Sequence, residues 1–130
     1  MIQKYLLTVA TVFAVGVVSL EASESAWEKT YDALLKKYVK EGRVDYPAWH
    51  RNKKDREALG GVIESISSAD RKVMTKNDEL AFLINAYNAW MLQIVLDNYP
   101  IKSVKDIAPD FGVFVASPIK VAGEELTLDQ

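Results

Sequence analysis

The chain has 130 residues, 49% of them hydrophobic and 26% charged, which fits one globular domain and not a disordered tail. A formal net charge of -2 gives no broad attraction for nucleic acid or anionic lipid, so no nucleic-acid partner is expected. There is no cysteine and a single histidine, His50, which excludes disulfides, a thiol nucleophile and a thiolate metal site, and leaves no second His or Cys to complete a metal set.

At the N-terminus a single Lys4 precedes the uncharged run Tyr5 to Leu20, with small residues at Ala22 and Ser23. That is the layout of a secretory signal, and it predicts a signal peptide over 1–22 and a periplasmic or secreted mature chain. The alternative is an uncleaved membrane anchor, because Leu20 and Ala22 are a soft match to the small-residue cleavage pattern. Membrane contact is then expected through the N-terminal segment only. Residues 23–130 read as a single domain.

Ser25 and Glu28 form a capping box, and Trp27, Tyr31, Leu34, Leu35, Tyr38 and Val39 recur at helical spacing behind it. The pattern predicts a helix over about 26–40, closed by Gly42 as a left-handed cap. In "GRVDYPAWH" the alternation of Val44 and Tyr46 around Asp45 predicts a short extended segment, and Pro47 suits the opening of the next helix. Leu59, Val62, Ile63 and Ile66 mark the buried side of a second helix. Gly60 and Gly61 interrupt it and predict a close helix contact or a kink.

Thr75, Asp78 and Glu79 can cap a third helix, expected over about 76–98. From Leu80 to Leu96 it carries no charge and is apolar on every side, as in a helix enclosed by protein or lipid. Asn85, Asn88, Gln93 and Tyr87 within it favour the protein interior. Asn85 and Asn88 share a stripe with Ala81 and Leu92, while Ile84, Tyr87, Met91, Ile94 and Val95 form another. A buried amide without partners costs about 1–3 kcal/mol, so both asparagines are expected to be hydrogen-bonded, either to a loop packed over them or as pocket residues. Beyond Pro100, Ser103 and Asp106 repeat the capping-box pattern. Val113, Val115, Ile119 and Val121 then suggest strands, and "AGEE" a turn before Leu126 and Leu128. The expected fold is thus α+β and predominantly helical: a central buried helix packed by two flanking helices, with a short C-terminal β-hairpin.

No Gly-rich phosphate loop, nucleophile elbow or complete acid and base pair is present. No cofactor and no metal is expected. The segment "AFLINAYNAWMLQIVLDNYPIKSVKDI", Ala81 to Ile107, resembles the signature of the domain-of-unknown-function family 547, whose members carry a similar "FWIN-x-YNA" followed by "YPVKSIRDI". "GRVDY" and "VAGEELTLDQ" resemble that family's earlier and later landmarks, so the likeness runs over roughly residues 28–130. Leu83 stands where the family usually has Trp, and Asn98 where it often has His. In members the "LTLD" cap leads into a further helix and a stretch with histidine and cysteine. The resemblance therefore implies an incomplete domain over 23–130.

Three functions are compatible with these readings. The first is an exported cell-envelope protein that is a truncated or non-catalytic family member. The second is part of a hydrolase-like enzyme completed by a missing segment, with Asn85, Asn88, Tyr87 and Asp45 as pocket or structural polar residues. The third is an envelope module that binds a peptide, glycan or protein. Self-association through exposed apolar surface is expected of the isolated chain.

Overall fold

The computed structural model describes residues 25–130, so the signal-peptide reading over 1–22 lies outside the described residues. The first helix, α1 (Ala26–Tyr38), opens on the anticipated capping box, in which the Glu28 carboxylate accepts from the Ser25 backbone amide at 2.9 Å. Its buried face carries Tyr31, Leu34 and Tyr38. The helix stops two residues short of the expected end. Val39 is already extended, and Glu41 and Gly42 both take left-handed backbone angles, φ 51° and 73°, to turn β1 (Val39–Lys40) back onto β2 (Arg43–Val44). Gly42 therefore serves a two-residue hairpin and not a helix cap.

Asp45 caps the short helix α2 (Tyr46–Arg51), accepting from the Ala48 amide at 3.0 Å, with Pro47 in its first turn. Asn52 caps α3 (Lys53–Ser68) in the same way, accepting from the Asp55 amide at 3.1 Å. Gly60 and Gly61 neither kink α3 nor mark a close contact, because the helix runs unbroken and a Cβ at either position would meet nothing within 4 Å. The predicted face of Leu59, Val62, Ile63 and Ile66 is buried.

Against α1 and α3 packs the long helix α4 (Lys76–Asp97), capped by Thr75, whose hydroxyl oxygen accepts from the Asp78 amide at 3.2 Å. By length and composition α4 could cross a membrane, but Phe82, Ala86, Ala89, Leu92 and Leu96 commit one side of it to the protein core. Beyond it come 3-10 turns at Val104–Asp106 and Pro109–Phe111 and a one-turn helix, α5 (Gly112–Val115). Val113 and Val115 are thus helical and not in strands, with Val113 fully buried and Val115 exposed. The chain ends its described course with the hairpin of β3 (Ile119–Val121) and β4 (Glu124–Leu126), followed by the buried Leu128. The fold is predominantly helical α+β, as expected.

At the edge of the core residues Tyr38 and Trp49, α1, α2 and α3 meet at one polar knot. Lys37 Nζ and the Tyr38 hydroxyl each donate to Asp55 Oδ2 at 2.5 Å, while the Tyr38 ring stacks on Trp49. The hydrogen bonds from Lys37 and then Tyr38 hold the Asp55 carboxyl below the usual carboxylate range. A depressed carboxylate contributes stability above its unfolded value and loses it as pH falls through the folded one. We predict that the melting-temperature gap between the parent and Asp55→Asn is open at pH 7 and closes on acidification below about pH 4. A gap that stays constant down to pH 2 would show that the Asp55 charge contributes nothing. Burial first, and then the bond to Asp55, raises the Tyr38 hydroxyl. The sign reverses for that group: its contribution persists below pH 10 and fades as pH rises through the elevated value.

Candidate functional site

Two features of the helical core place a hairpin over α4. The last turn of a helix leaves carbonyls without intrahelical partners, and here the Ile66 and Ser67 carbonyls of α3 accept from the Ala122 and Gly123 amides at 2.9 and 2.7 Å. On the β3 side, the Lys120 carbonyl accepts from the Ser67 hydroxyl at 3.0 Å and from Trp90 Nε1 at 3.1 Å. Both helices therefore grip the hairpin by its turn and its β3 edge.

Between the hairpin and α4 lies a half-open cleft of about 360 Å³. Leu83, Ala86, Ile119, Val121, Leu126 and Leu128 make its apolar surface, with Tyr87 beside them. Polar groups sit at its margin: Arg71, Glu124, Thr127 and Gln130. Arg71 is held in place by Glu79, whose Oε1 accepts from the Arg71 Nε at 2.7 Å and lies 2.6 Å from its Nη2. Glu124 approaches the same guanidinium more loosely, at 3.7 Å. Asp70 fixes the Arg71–Val73 turn by accepting from the Lys72 amide at 2.9 Å. A volume at the low end of ligand pockets, apolar with a few convergent polar groups, suits an aliphatic group more than a charged one.

The open flank of α4 continues from this cleft. Leu80, Ile84 and Tyr87 are 60%, 54% and 40% exposed, and Asn77, Ala81 and Asn88 beside them are exposed too. These positions lie on one helical stripe without a charge. An all-apolar helix is expected to be enclosed on every side, yet among the described residues nothing covers its N-terminal half on this one.

The sequence-predicted polar residues are dispersed. Tyr87 lines the cleft. Asn85 is half-buried in a separate shallow depression with Glu28, Tyr31, Asp32 and Leu35. Asn88 is exposed on the stripe, and Asp45 is occupied as the cap of α2. The expectation of two buried, hydrogen-bonded amides is corrected: no buried polar residue occurs among the described residues, and neither Asn85 nor Asn88 makes a hydrogen bond among them. Replacing Asn88 with Ala is accordingly predicted to change unfolding free energy by less than about 0.5 kcal/mol, measured in urea. A loss above about 1 kcal/mol would reveal a partner for the amide.

Sequence reasoning assigned none of Arg71, Leu83 and the inner face of the hairpin to a site: Leu83 stood out only as a departure from the family pattern, and Ile119, Val121, Leu126 and Leu128 only as hairpin residues. The alternation Ile119, Val121, Leu126, Leu128 was the signal that could have placed the hairpin face against α4. His50 packs its ring on Tyr99, with centroids 5.1 Å apart, and is not among the cleft residues. Among the described residues no three His, Asp or Glu side chains are grouped to hold a metal ion.

Residues 71–130 match the model of a family described as "Protein of unknown function, DUF547". The match takes in a little under half of the chain, and with it every residue of the cleft. The earlier landmark, Gly42 to Tyr46, lies outside it. No curated protein and no solved structure matches the chain.

Proposed function

We propose that the chain is a non-catalytic binding module of an exported cell-envelope protein, and that it seats a peptide segment of a partner protein in the cleft between α4 and the hairpin. The observation that carries this reading is the continuity of the apolar cleft with the bare Leu80, Ile84 and Tyr87 stripe, since a monomeric surface seldom leaves a contiguous apolar patch without a use. The cleft's chemistry supports binding over turnover. Its cation, Arg71, is engaged by carboxylates, and its remaining polar groups besides Glu124 are a phenol, a hydroxyl and an amide. The run Tyr5 to Leu20 supports export.

Two experiments test the two parts. Amide chemical shifts of the full chain are followed while short extended and amphipathic helical peptides are added. Saturable shifts at Leu83, Tyr87 and Leu126 to Leu128 with one class are expected, and no shift with either class would remove the binding role. For export, mass spectrometry of the secreted form is expected to show an N-terminus near Ser23, whereas full-length protein fixed in the membrane would refute cleavage.

A further inference from the structure

We propose that the outer edge of β4 is a strand-docking site, at which an extended partner segment of apolar, basic, apolar sequence pairs as a third strand and lowers its two apolar side chains into the cleft. This rests on the binding-module reading and names the ligand class for it.

The turn geometry decides which backbone groups are free. Ala122 and Gly123 both have positive φ, 49° and 81°, the pattern of a type I′ two-residue turn. Such a turn makes its flanking residues, Val121 and Glu124, a hydrogen-bonded pair, so by alternation Lys120 and Glu125 are the non-bonded pair and Ile119 and Leu126 are bonded again. The Lys120 backbone groups therefore point away from β4, and those of Glu125 point away from β3. On the β3 side the outward Lys120 carbonyl is taken, by Ser67 and Trp90. On the β4 side nothing among the described residues pairs with the Glu125 amide or carbonyl, and no third strand joins this sheet among them. An unpaired strand edge is a template for another chain.

Charge and alternation specify the occupant. β4 already accepts one strand of the proposed pattern: Ile119 and Val121 turn inward and are buried, while Lys120 faces out, opposite Glu125. A strand entering on the other edge meets the same Glu125 on the outer face. On the inner face it meets Leu83, Tyr87 and Leu126, with the 64% exposed carboxylate of Glu124 at the margin. A basic residue opposite Glu125 is favoured and an acidic one disfavoured, because directly opposed cross-strand charges interact.

The test uses the full chain and two fluorescent capped peptides, Thr-Ile-Lys-Val-Thr and Thr-Ile-Glu-Val-Thr, followed by anisotropy. The Lys peptide is expected to bind about three- to tenfold tighter than the Glu peptide. Glu125→Lys should reverse that preference, and Glu125→Pro, which deletes the edge amide, should weaken the Lys peptide by about three- to tenfold. Circular dichroism checks that each variant folds, and Glu125→Lys keeps the backbone donor if the proline variant does not. Equal affinity for both peptides, unaltered by Glu125→Lys but abolished by Leu83→Lys, would overturn edge pairing while leaving the cleft as a binding site. Failure of both peptides and of an amphipathic helical peptide would overturn both readings. Self-association lost on Ile84→Lys, with neither extended peptide bound, would assign the face to a second copy and overturn the inference.

Discussion

Replacing Trp49 with Ala is expected to remove about 3–5 kcal/mol of unfolding free energy, a large part of the stability of a domain this size. Trp49 has no exposed surface at all. Its ring stacks on that of Tyr38, with centroids 4.6 Å apart and planes inclined by 11°, and its Nε1 reaches the Asp55 carbonyl at 3.4 Å. Truncation would leave a cavity the size of an indole between three helices and would strip the Tyr38 ring of its stacking partner. The effect should also spread. α2 is six residues long, too short to hold helical form without tertiary packing, and Trp49 is its only buried residue. Trp49→Phe, which keeps a stacked ring, should cost markedly less than Trp49→Ala. Urea unfolding followed by circular dichroism would measure both, and equal small losses for the two variants would mean that the site collapses without leaving a void.

How much of this was legible in the sequence depended on whether a helix carried charges. In α3, Glu57, Glu64 and the serines define a wet side, so the apolar residues Leu59, Val62, Ile63 and Ile66 could only be the buried one, and they are. In α4 no charge lies between Leu80 and Leu96, and periodicity had nothing to work against. The stripes through Asn85 and through Ile84 looked as good as any, but the core takes a third, through Phe82, Ala86, Ala89, Leu92 and Leu96. Alanine pairs of this kind give a weak apolar signal while allowing close helix approach. Val113 and Val115 misled in another way: their β-branched side chains suit strands, but Gly112 to Val115 forms a helical turn that buries Val113. The capping boxes at Ser25 and Ser103 were legible because each is a local arrangement within four residues. The cleft was not, since Arg71, Leu83, Leu126 and Gln130 meet only through the tertiary fold.

The two sides of α4 make a sharper test than any single site. Ala89→Glu is expected to cost about 3–5 kcal/mol, whereas Ile84→Glu, five residues away on the same helix, should change stability by no more than about 0.5 kcal/mol. Ala89 is fully buried in the cluster that holds Leu92, Phe82 and the α3 side chains, so a glutamate there must both displace packed neighbours and bring a carboxylate into a place without a partner. Ile84 is more than half exposed on the bare stripe, so a glutamate there stays in water and gives up little burial. Helix propensity does not separate the two, since glutamate is a good helix former at either position. The measurement is the urea midpoint of each variant, paired with its sedimentation coefficient over a range of concentrations. Similar losses at both positions would place Ile84 inside a core and deny that this face of α4 is free for a partner. A loss at Ala89 alone would leave the Ile84 stripe as surface whose apolar character is not required for folding, which is the condition a docking face must meet.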